Sequence, residues 1–187
     1  MFPSNNLILM GGCALNCVAN SAVTKNWKNV WIMPNPGDAG SAVGAVCGYF
    51  GEHIVWPGPY LGYDLGDVYP VEKTLAVLIS DQIAGVATGK AEYGPRALGH
   101  RSLLADPRGP EIKDKVNEIK RRQKFRPFAP AILEEYVHDY FKMPENITSS
   151  PYMQFVAECL HPEDFPAIIH YGGTSRVQTV SKNDSLY

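Results

Sequence analysis

A dense run of cationic side chains stands at the edge of an apolar segment. The stretch "KRRQKFRPFAPAIL", residues 120–133, places five Lys or Arg residues within seven positions and then continues into Phe128 and Pro130. Cations at the rim of an apolar surface have a low effective dielectric around them and bind anions strongly. Lys120 and Arg126 are therefore candidate ligands for a polyanionic substrate.

The basic residues are concentrated well beyond this run. The whole chain has a net charge of −2, yet 11 of its 17 Lys and Arg residues lie between Lys90 and Arg126, against five acidic residues. A local excess of positive charge attracts an anionic partner. A solvated helix face is the alternative, and it accounts well for Lys115 and Arg121 but poorly for Lys120 and Arg126.

A third candidate cation, Arg96, lies on a loop that glycine and proline make rigid. In "GPRALGHRSLLADPR" the residues Gly94, Pro95 and Gly99 surround Arg96. A guanidinium on a rigid loop suits bidentate recognition of phosphate or carboxylate. The alternative is an arginine held in a surface salt bridge.

The segment "HYGGTSRVQTV", residues 170–180, contains a further set of polar side chains. If it is a strand, Thr174, Arg176 and Gln178 share one face. His170 precedes the Gly-Gly turn. Such a face can bind a polar ligand, although an ordinary exposed strand would have the same pattern.

Two turns near the N-terminus have residues suited to anions or metals. Gly11 and Gly12 follow the apolar run "LILM" and lead into a helix, where backbone N–H groups can approach a phosphate. A tight strand–helix turn is the plainer interpretation. Asp38 of "PGDAG" follows another glycine turn, and it is either a helix N-cap or a metal or nucleotide ligand at the helix mouth.

The elements that position these residues indicate an α/β fold with an α+β second unit. Alternating apolar runs and small-residue segments predict two strand–helix pairs before residue 51. The ranges are strands at 6–10 and 30–34, and helices at 14–23 and 35–50. Residues 51–73, rich in glycine and proline, predict a connector without periodic structure.

Six further elements are predicted in the second unit. Residues 75–80 form a strand or the start of a helix that continues to residue 89, and 110–122 form an amphipathic helix with Ile112, Val116 and Ile119 on its apolar stripe. Residues 131–141 predict another helix. The stretches "YMQFVAEC", "AIIHY" and "RVQTV" predict strands.

Composition narrows the function classes. An apolar fraction of 45% is typical of a core-forming protein, and the four cysteines are too scattered for a disulfide framework. The N-terminus lacks a signal-peptide pattern and "LILM" is too short to span a bilayer. We therefore expect a cytoplasmic protein with no membrane partner.

Taken together, the motifs resemble the O-carbamoyltransferase family, whose members act on antibiotics and nodulation signals. The resemblance runs from about Leu7 to Val180 and depends on six strings in this order: "GGCALN", "PGDAGSAVGA", "YLG", "GPRALGHRSLLADPR", "NEIKRRQKFRPFAPAILEE" and "IIHYGGTSRVQTV". It implies residues 1–55 as the end of an actin-like or sugar-kinase-like transfer domain and 56–73 as a connector. Residues 74–187 would be an incomplete carbamoyl-adenylate-forming domain, similar to threonylcarbamoyl-AMP synthase.

The resemblance also implies a two-step reaction. Carbamoyl phosphate and ATP give carbamoyl-adenylate and pyrophosphate, and the carbamoyl group then passes to a hydroxyl of a small molecule near a divalent metal, Fe or Mg. Asp38 would be a metal ligand, and Gly11, Gly12 and Asn16 would belong to the nucleotide-binding turn. The cationic site for carbamoyl phosphate and ATP would be formed by Arg96, Lys120, Arg126 and Arg176, with His170 and Thr174 lining it.

The chain also departs from the family pattern. Relatives carry a metal-binding histidine pair ahead of this region and continue beyond the last strand, so the sequence is expected to be a fragment whose metal partners come from a complementing upstream polypeptide or a homo-oligomer. Two other functions stay open: a nucleotide- or phosphate-binding module without turnover, and RNA binding by residues 113–126. RNA binding is disfavoured because few aromatic residues interleave with the cations.

Overall fold

The computed structural model describes residues 4–66 and 68–182. These residues form five α-helices, namely α1 (Cys17–Val23), α2 (Asp38–Phe50), α3 (Val71–Asp81), α4 (Ile112–Ile119) and α5 (Val137–Tyr140). The first six strands are β1 (Asn6–Leu9), β2 (Asn29–Ile32), β3 (Tyr60–Asp64), β4 (Ile83–Ala87), β5 (Lys90–Glu92) and β6 (Arg101–Ala105). The remaining strands are β7 (Ala131–Leu133), β8 (Phe141–Lys142), β9 (Val156–Cys159), β10 (Thr174–Arg176) and β11 (Gln178–Val180).

The described strands pair into five small sheets rather than one large one. β1 and β2 are parallel, as are β7 and β11, whereas β3–β5, β4–β6 and β8–β9–β10 are antiparallel. The prediction of a mixed α/β fold is therefore confirmed.

The N-terminal unit begins with the parallel pair β1–β2. Alternation along the strands turns Val30 and Ile32 towards the interior, where Ile32 packs with Ala14 and Phe155. Phe155 belongs to the C-terminal unit, so this small core joins the two parts of the chain.

Side-chain amides reinforce this junction. Buried Asn20 donates through Nδ2 to the carbonyls of Ala14 at 2.8 Å and Gln154 at 3.0 Å. Gln154 in turn donates through Nε2 to the carbonyls of Ile32 and Met33, both at 3.0 Å. Because buried amides are costly to leave unpaired, these bonds fix the two units against each other.

The main core of the C-terminal unit lies between α5 and the β8–β9–β10 sheet. Its buried members are Val137, Phe141, Ala157, Cys159, Ile168 and Val177. A second cluster places Ile112 and Val116 of α4 against Ala167. α4 is thereby held so that its C-terminal end, with the basic run, projects from this core.

Several predicted elements are confirmed with small changes of boundary. The predicted strands at 6–10 and 30–34 correspond to β1 and β2, and α2 falls within 35–50. The predicted helix at 14–23 is divided into a 3₁₀ turn, Gly12–Leu15, and α1, with Asn16 between them.

The prediction that residues 51–73 lack periodic structure was wrong. β3 lies inside this segment and pairs with β5, and α3 begins at Val71. The pairing depends on Gly62, where a Cβ atom would lie 2.8 Å from the Cβ of Ala91. Glycine here permits a close approach of two strands. From composition alone, the same glycine was interpreted as a sign of a loop.

The helix predicted to continue from 75–80 to residue 89 was also wrong in its second half. α3 ends at Asp81, and Gln82 adopts a left-handed conformation with φ of 65°. The chain then forms β4, which pairs with β6 along its whole length. Tertiary pairing outweighs the local helical pattern there.

Two more predictions failed in the C-terminal half. Residues 131–141 were predicted as one helix, but Ala131–Leu133 is β7 and only Val137–Tyr140 is α-helical. Pro130 favours extended backbone before it, and β11 offers the strand partner. The predicted strand "AIIHY" is instead a 3₁₀ turn at Pro166–Ile168.

The proposed apolar stripe on α4 needs one correction. Ile112 and Val116 are buried, but Ile119 is exposed. Asn117, a polar residue of the same helix, is fully buried.

Candidate anion-binding site

The loop that carries Arg96 is anchored by Glu92. One carboxylate oxygen, Oε1, accepts hydrogen bonds from the backbone N–H groups of Leu98 at 2.8 Å, His100 at 2.9 Å and Arg101 at 3.2 Å. A carboxylate that accepts several N–H groups organises a loop around itself. The loop is therefore rigid in the way that its glycines and proline predicted.

Arg101 has a structural role in the same region. Its guanidinium donates to the backbone carbonyls of Thr88, His100, Tyr63 and Gly89. It thereby ties β3 and the β4–β5 turn to β6 and is already fully engaged with the protein.

Arg96, by contrast, extends from the C-terminal unit to the N-terminal one. Its Nη2 donates to the carbonyl of Leu15 at 3.3 Å, at the end of the turn that follows Gly11 and Gly12. Its Nε is buried and has no hydrogen-bond partner among the described residues. A guanidinium with unused donors can still bind an anion.

The charge of Arg176 interacts with that of Arg96, although β10 is far from the Arg96 loop in sequence. Burial lowers the pKa of Arg176, and repulsion from the nearby charges of Arg96 and Arg122 lowers it further. The Nε of Arg176 is also buried and unpartnered among the described residues. Cations gathered without a counter-charge are unfavourable unless an anion joins them.

Arg122 completes the link to the basic run. Burial lowers the pKa of Arg122, and repulsion from Arg126 adds to this effect. Its guanidinium stacks over the Phe128 ring, 4.5 Å from the centroid, and its Nε donates to Oδ1 of Asn117. We call Arg96, Arg122, Arg126 and Arg176 the arginine cluster.

Asn117 explains why the chain turns sharply after α4. Its Nδ2 donates to the carbonyls of Lys124 and Arg126, both at 3.0 Å, while its Oδ1 accepts from Arg122. One buried amide thus holds both the backbone of the basic run and the guanidinium of Arg122. Arg126 itself is exposed at the edge of the cluster.

His170 borders the cluster. Its Nε2 lies 3.2 Å from the carbonyl of Phe128, so this nitrogen carries the proton and Nδ1 is unprotonated in the neutral ring. Burial lowers the pKa of His170, the Phe128 hydrogen bond opposes this, and the charges of Arg176 and Lys113 lower it further. His170 is therefore neutral at pH 7.

Two other residues predicted from the sequence are Thr174 and Lys120. Thr174 accepts the N–H of His170 through its backbone carbonyl at 2.7 Å and so closes the turn that contains Gly172 and Gly173. Lys120 caps the C-terminal end of α4 and its side chain is exposed. No described contact joins its ammonium group to Arg96 or Arg176.

The Gly11–Gly12 turn faces open space. Gly11 has φ of 88° and donates its N–H to the carbonyl of Pro36 at 2.7 Å. A Cβ atom at Gly12 would meet no atom within 4 Å, so packing does not require glycine at that position. Asn16 caps α1, with Oδ1 accepting from the N–H of Ala19 at 3.1 Å.

Asp38 is the first residue of α2, but it is not the N-cap. Gly37 occupies the cap position and Asp38 is exposed, so its carboxylate is available at the helix mouth. Three residues that could share a metal, among those described, occur only at His161, Glu163 and Asp164, which are all exposed and do not include Asp38. The described residues therefore offer one ligand of a metal site at Asp38, not a complete set.

Sequence reasoning missed Arg122 and Asn117 as parts of this site. Arg122 was counted in the basic run without a role of its own, and no role was assigned to Asn117. The available signal was the presence of Asn117 and Phe128 on either side of Arg122, since an amide and an aromatic ring near a basic run can each hold a guanidinium.

The described geometry defines an α/β protein with a half-buried cationic site at the junction of its two units. Comparison with known proteins identifies the class further. The family model described as carbamoyltransferase C-terminus matches residues 75–187, and carbamoyltransferase N-terminus matches residues 1–47. The chain belongs to the carbamoyltransferase family.

Similar proteins include Nodulation protein U of Sinorhizobium fredii, which is 38% identical over 199 residues covering 96% of this chain and 35% of its own length. Nodulation protein U of Bradyrhizobium diazoefficiens is 37% identical over 200 residues, covering 96% of this chain and 34% of its own length. Nodulation protein NolO of the same organism is 36% identical over 208 residues, covering 94% and 38%. The chain thus spans about a third of the length of these relatives.

Across the described parts of the chain, every helix is too short or too polar to cross a bilayer.

Proposed function

We propose that this chain provides the phosphate-binding part of an enzyme that transfers a carbamoyl group from carbamoyl phosphate to a hydroxyl of a small molecule, by way of ATP-dependent carbamoyl-adenylate. Membership of the carbamoyltransferase family supports the reaction class. The observation that carries the proposal is that Arg96 and Arg176, whose charges repel each other, each have a buried Nε with no hydrogen-bond partner among residues 4–66 and 68–182.

The reaction balances only if water takes part. Water accepts the phosphoryl group of carbamoyl phosphate and leaves carbamate and inorganic phosphate. A carbamate oxygen then attacks the α-phosphorus of ATP and expels pyrophosphate. Finally the acceptor hydroxyl attacks the carbamoyl carbon, loses its proton and releases AMP. No step requires a covalent nucleophile from the protein.

Each phosphoryl step develops negative charge on oxygens, and fixed cations stabilise such charge. In this proposal Arg96 and Arg176 bind the phosphoryl oxygens, and Lys120 and Arg126 bind the outer phosphates of ATP. Arg122, held by Asn117 and Phe128, adds positive charge from an oriented guanidinium.

His170 and Thr174 line the same region in the proposal. The neutral His170 ring can accept a proton at Nδ1, because Nε2 is committed to the Phe128 carbonyl. The backbone N–H groups near Gly11 and Gly12, with Asn16, would face the nucleotide, since the space in front of Gly12 is open.

Transfer to the acceptor belongs to the N-terminal unit. A divalent metal, Fe or Mg, held in part by Asp38 would polarise the carbamoyl carbonyl. Because the described residues supply one ligand, the others would come from polypeptide outside this chain. In the same proposal residues 1–55 end an actin-like transfer domain and 74–187 form most of a threonylcarbamoyl-AMP-synthase-like domain.

Exchange of radiolabelled pyrophosphate into ATP, in the presence of carbamoyl phosphate, tests the adenylation step. We expect Lys120→Ala, Arg126→Ala and Arg176→Ala each to reduce exchange by about tenfold or more, as loss of a charged transition-state contact does. Lys115→Ala, which removes an exposed partner of Glu111, is the matched control. Undiminished exchange in a variant removes that residue from the mechanism.

A second function is binding of nucleotide or phosphate without turnover, which the same unpartnered guanidinium donors of the described residues support. Titration calorimetry with ATP and with carbamoyl phosphate distinguishes the two. Binding together with exchange supports the enzyme, binding without exchange supports the binding module, and no binding contradicts both.

A further inference from the structure

Phe125 is an aromatic side chain that the protein holds in solvent within its basic run. It is 77% exposed, whereas Phe128, three residues further on, packs against the cluster of Ile112, Val116 and Ala167. Single exposed apolar side chains are common on protein surfaces, so exposure by itself indicates no function. The surroundings of Phe125 distinguish it from the others.

The charges around Phe125 are all positive. Residues 120–126 contain five cations, no acidic residue and one aromatic ring. Among the exposed aromatic residues that the structure describes, Phe125 is the one with a cation on each side, Lys124 and Arg126. Tyr63, which is similarly exposed at 79%, is followed by an aspartate instead. The setting of Phe125 therefore suits an anion that also has a flat aromatic ring.

The backbone on both sides of Phe125 is fixed. The N–H of Arg126 donates to the carbonyl of Gln123 at 3.2 Å, which closes a turn with Phe125 near its tip. Fully buried Asn117 donates through Nδ2 to the carbonyls of Lys124 and Arg126, both at 3.0 Å. The ring is thus presented from a rigid turn, so a ligand that contacts it has only the torsions of this side chain to order.

The same buried amide joins Phe125 to the arginine cluster. Oδ1 of Asn117 accepts from Nε of Arg122, and Arg122 in turn interacts electrostatically with Arg126. Arg126 is the exposed member of the cluster, whereas Arg96 and Arg176 are half-buried. Phe125 follows the chain at the outer edge of the cluster, beside Arg126.

We propose that Phe125 is the stacking surface for the purine ring of ATP, and this inference rests on the proposed function. Of the two phosphorylated substrates in that function, ATP has an aromatic ring and carbamoyl phosphate has none. A base that stacks on a side chain needs no hydrogen bond from the protein, which suits a ring held in solvent.

A single ring also distinguishes between nucleotide partners. A protein that binds a single-stranded nucleic acid offers successive aromatic side chains, on which successive bases stack. The basic run offers one ring, so it fits one base and therefore a mononucleotide. ATP then lies with its base at the outer edge of the arginine cluster, and carbamoyl phosphate lies nearer Arg96 and Arg176.

Titration calorimetry with ATP, tripolyphosphate and carbamoyl phosphate tests this assignment. We expect Phe125→Ala to weaken the binding of ATP by about tenfold, as loss of a stacked aromatic partner does. The affinities for tripolyphosphate and carbamoyl phosphate should stay unchanged, because neither ligand has a ring. Unchanged binding of these two ligands also shows that the variant is folded.

Two further variants make the test specific to stacking. Phe125→Trp should bind ATP at least as tightly as the original chain, since it keeps an aromatic face. Tyr63→Ala is the matched control, because it removes a similarly exposed ring and keeps the backbone carbonyl that accepts from Arg101. It should leave all three affinities unchanged.

Each other outcome would contradict the assignment. If Phe125→Ala binds ATP as the original chain does, Phe125 is not the stacking surface, although the proposed function stands. Equal weakening of all three ligands would mean that Phe125 acts through the shape of its turn. If an oligoadenylate binds more tightly than ATP and Phe125→Ala removes that difference, a nucleic acid is the occupant. Absence of binding of all three ligands to the original chain would contradict the proposed function together with this assignment.

Discussion

At the scale of single residues, Arg176 carries a positive charge that is poorly compensated when no anion is bound. Burial and the charge of Arg96 lower its pKa, and its Nε lacks a partner among the described residues. We expect Arg176→Met to raise the free energy of unfolding by about 1 kcal/mol, because an apolar side chain of similar volume removes a poorly compensated charge. Urea unfolding without added anions measures this change, and a marked loss of stability would contradict it.

His170 predicts a pH dependence of stability. Its folded pKa lies below the ordinary 6.5, chiefly through burial. Below pH 6.5 the unfolded chain therefore binds a proton that the folded chain does not, so stability falls as pH falls until the folded pKa is reached. His170→Gln, which can keep the bond to the Phe128 carbonyl, should remove this part of the dependence.

Unfolding by urea at pH 7.5 and 5.5, in both proteins, measures the effect. The loss of stability on acidification should be smaller in the variant than in the original chain. Equal losses would exclude His170 as the group responsible. Added phosphate should diminish the loss in the original chain, since an anion near Arg176 favours protonated His170.

At the scale of elements, the start of α2 depends on Gly40. A Cβ atom there would lie 1.8 Å from the carbonyl oxygen of Asn35, which is backbone and cannot move aside. We expect Gly40→Ala to lower the free energy of unfolding by about 2 to 3 kcal/mol, a usual cost of overpacking. Thermal or urea unfolding gives the value.

Gly44 provides the control in the same helix. A Cβ atom at Gly44 meets no atom within 4 Å, and alanine is favoured over glycine in a helix interior by about 1 kcal/mol. Gly44→Ala should therefore be neutral or stabilising. Equal effects of the two substitutions would mean that the close approach at Gly40 does not constrain the fold.

The elements also mark how far the sequence predicts the structure. β1, β2, α2 and α4 follow from apolar periodicity and glycine turns, and the rigid loop around Arg96 follows from its composition. β7 and β3 were missed because each pairs with a strand that is distant in sequence, β11 for β7 and β5 for β3. The local pattern has no information on such partners.

The same limit applies to the candidate site. The residue types of Arg96, Arg126 and Arg176 pointed to an anion, but which of them come together depends on where the fold places β10 relative to the Arg96 loop, and the local sequence does not encode this. Arg122 was missed because its role depends on buried Asn117, whose burial the pattern of α4 did not indicate.

At the scale of the whole molecule, we expect the junction to make the two units unfold together. The shared core of Ala14, Ile32 and Phe155 and the amides of Asn20 and Gln154 connect them. We expect Asn20→Ala to cost about 2 to 3 kcal/mol, since it leaves buried carbonyls without donors. Fluorescence and circular dichroism should still report one coincident transition.

Asn29→Ala is the matched control, because Asn29 donates to Asn6 at an exposed position. Its effect should stay within about 0.5 kcal/mol, as for other surface changes. Two separate transitions in the original chain would contradict a shared core.

The arginine cluster lies at this junction, because Arg96 contacts Leu15 of the N-terminal unit and the charge of Arg176 interacts with that of Arg96. A site between the units places the phosphate-binding residues next to the segment that the proposal assigns to transfer. Disruption of the junction should accordingly weaken anion binding as well as stability.

Calorimetric titration of carbamoyl phosphate into the original chain, Arg176→Met and Lys115→Ala tests the central claim most directly. The account predicts that Arg176→Met weakens binding by about tenfold or more, as loss of a charge-assisted contact does, while Lys115→Ala binds as the original chain does. Equal affinity of Arg176→Met and the original chain would contradict the claim that the arginine cluster forms the anion site.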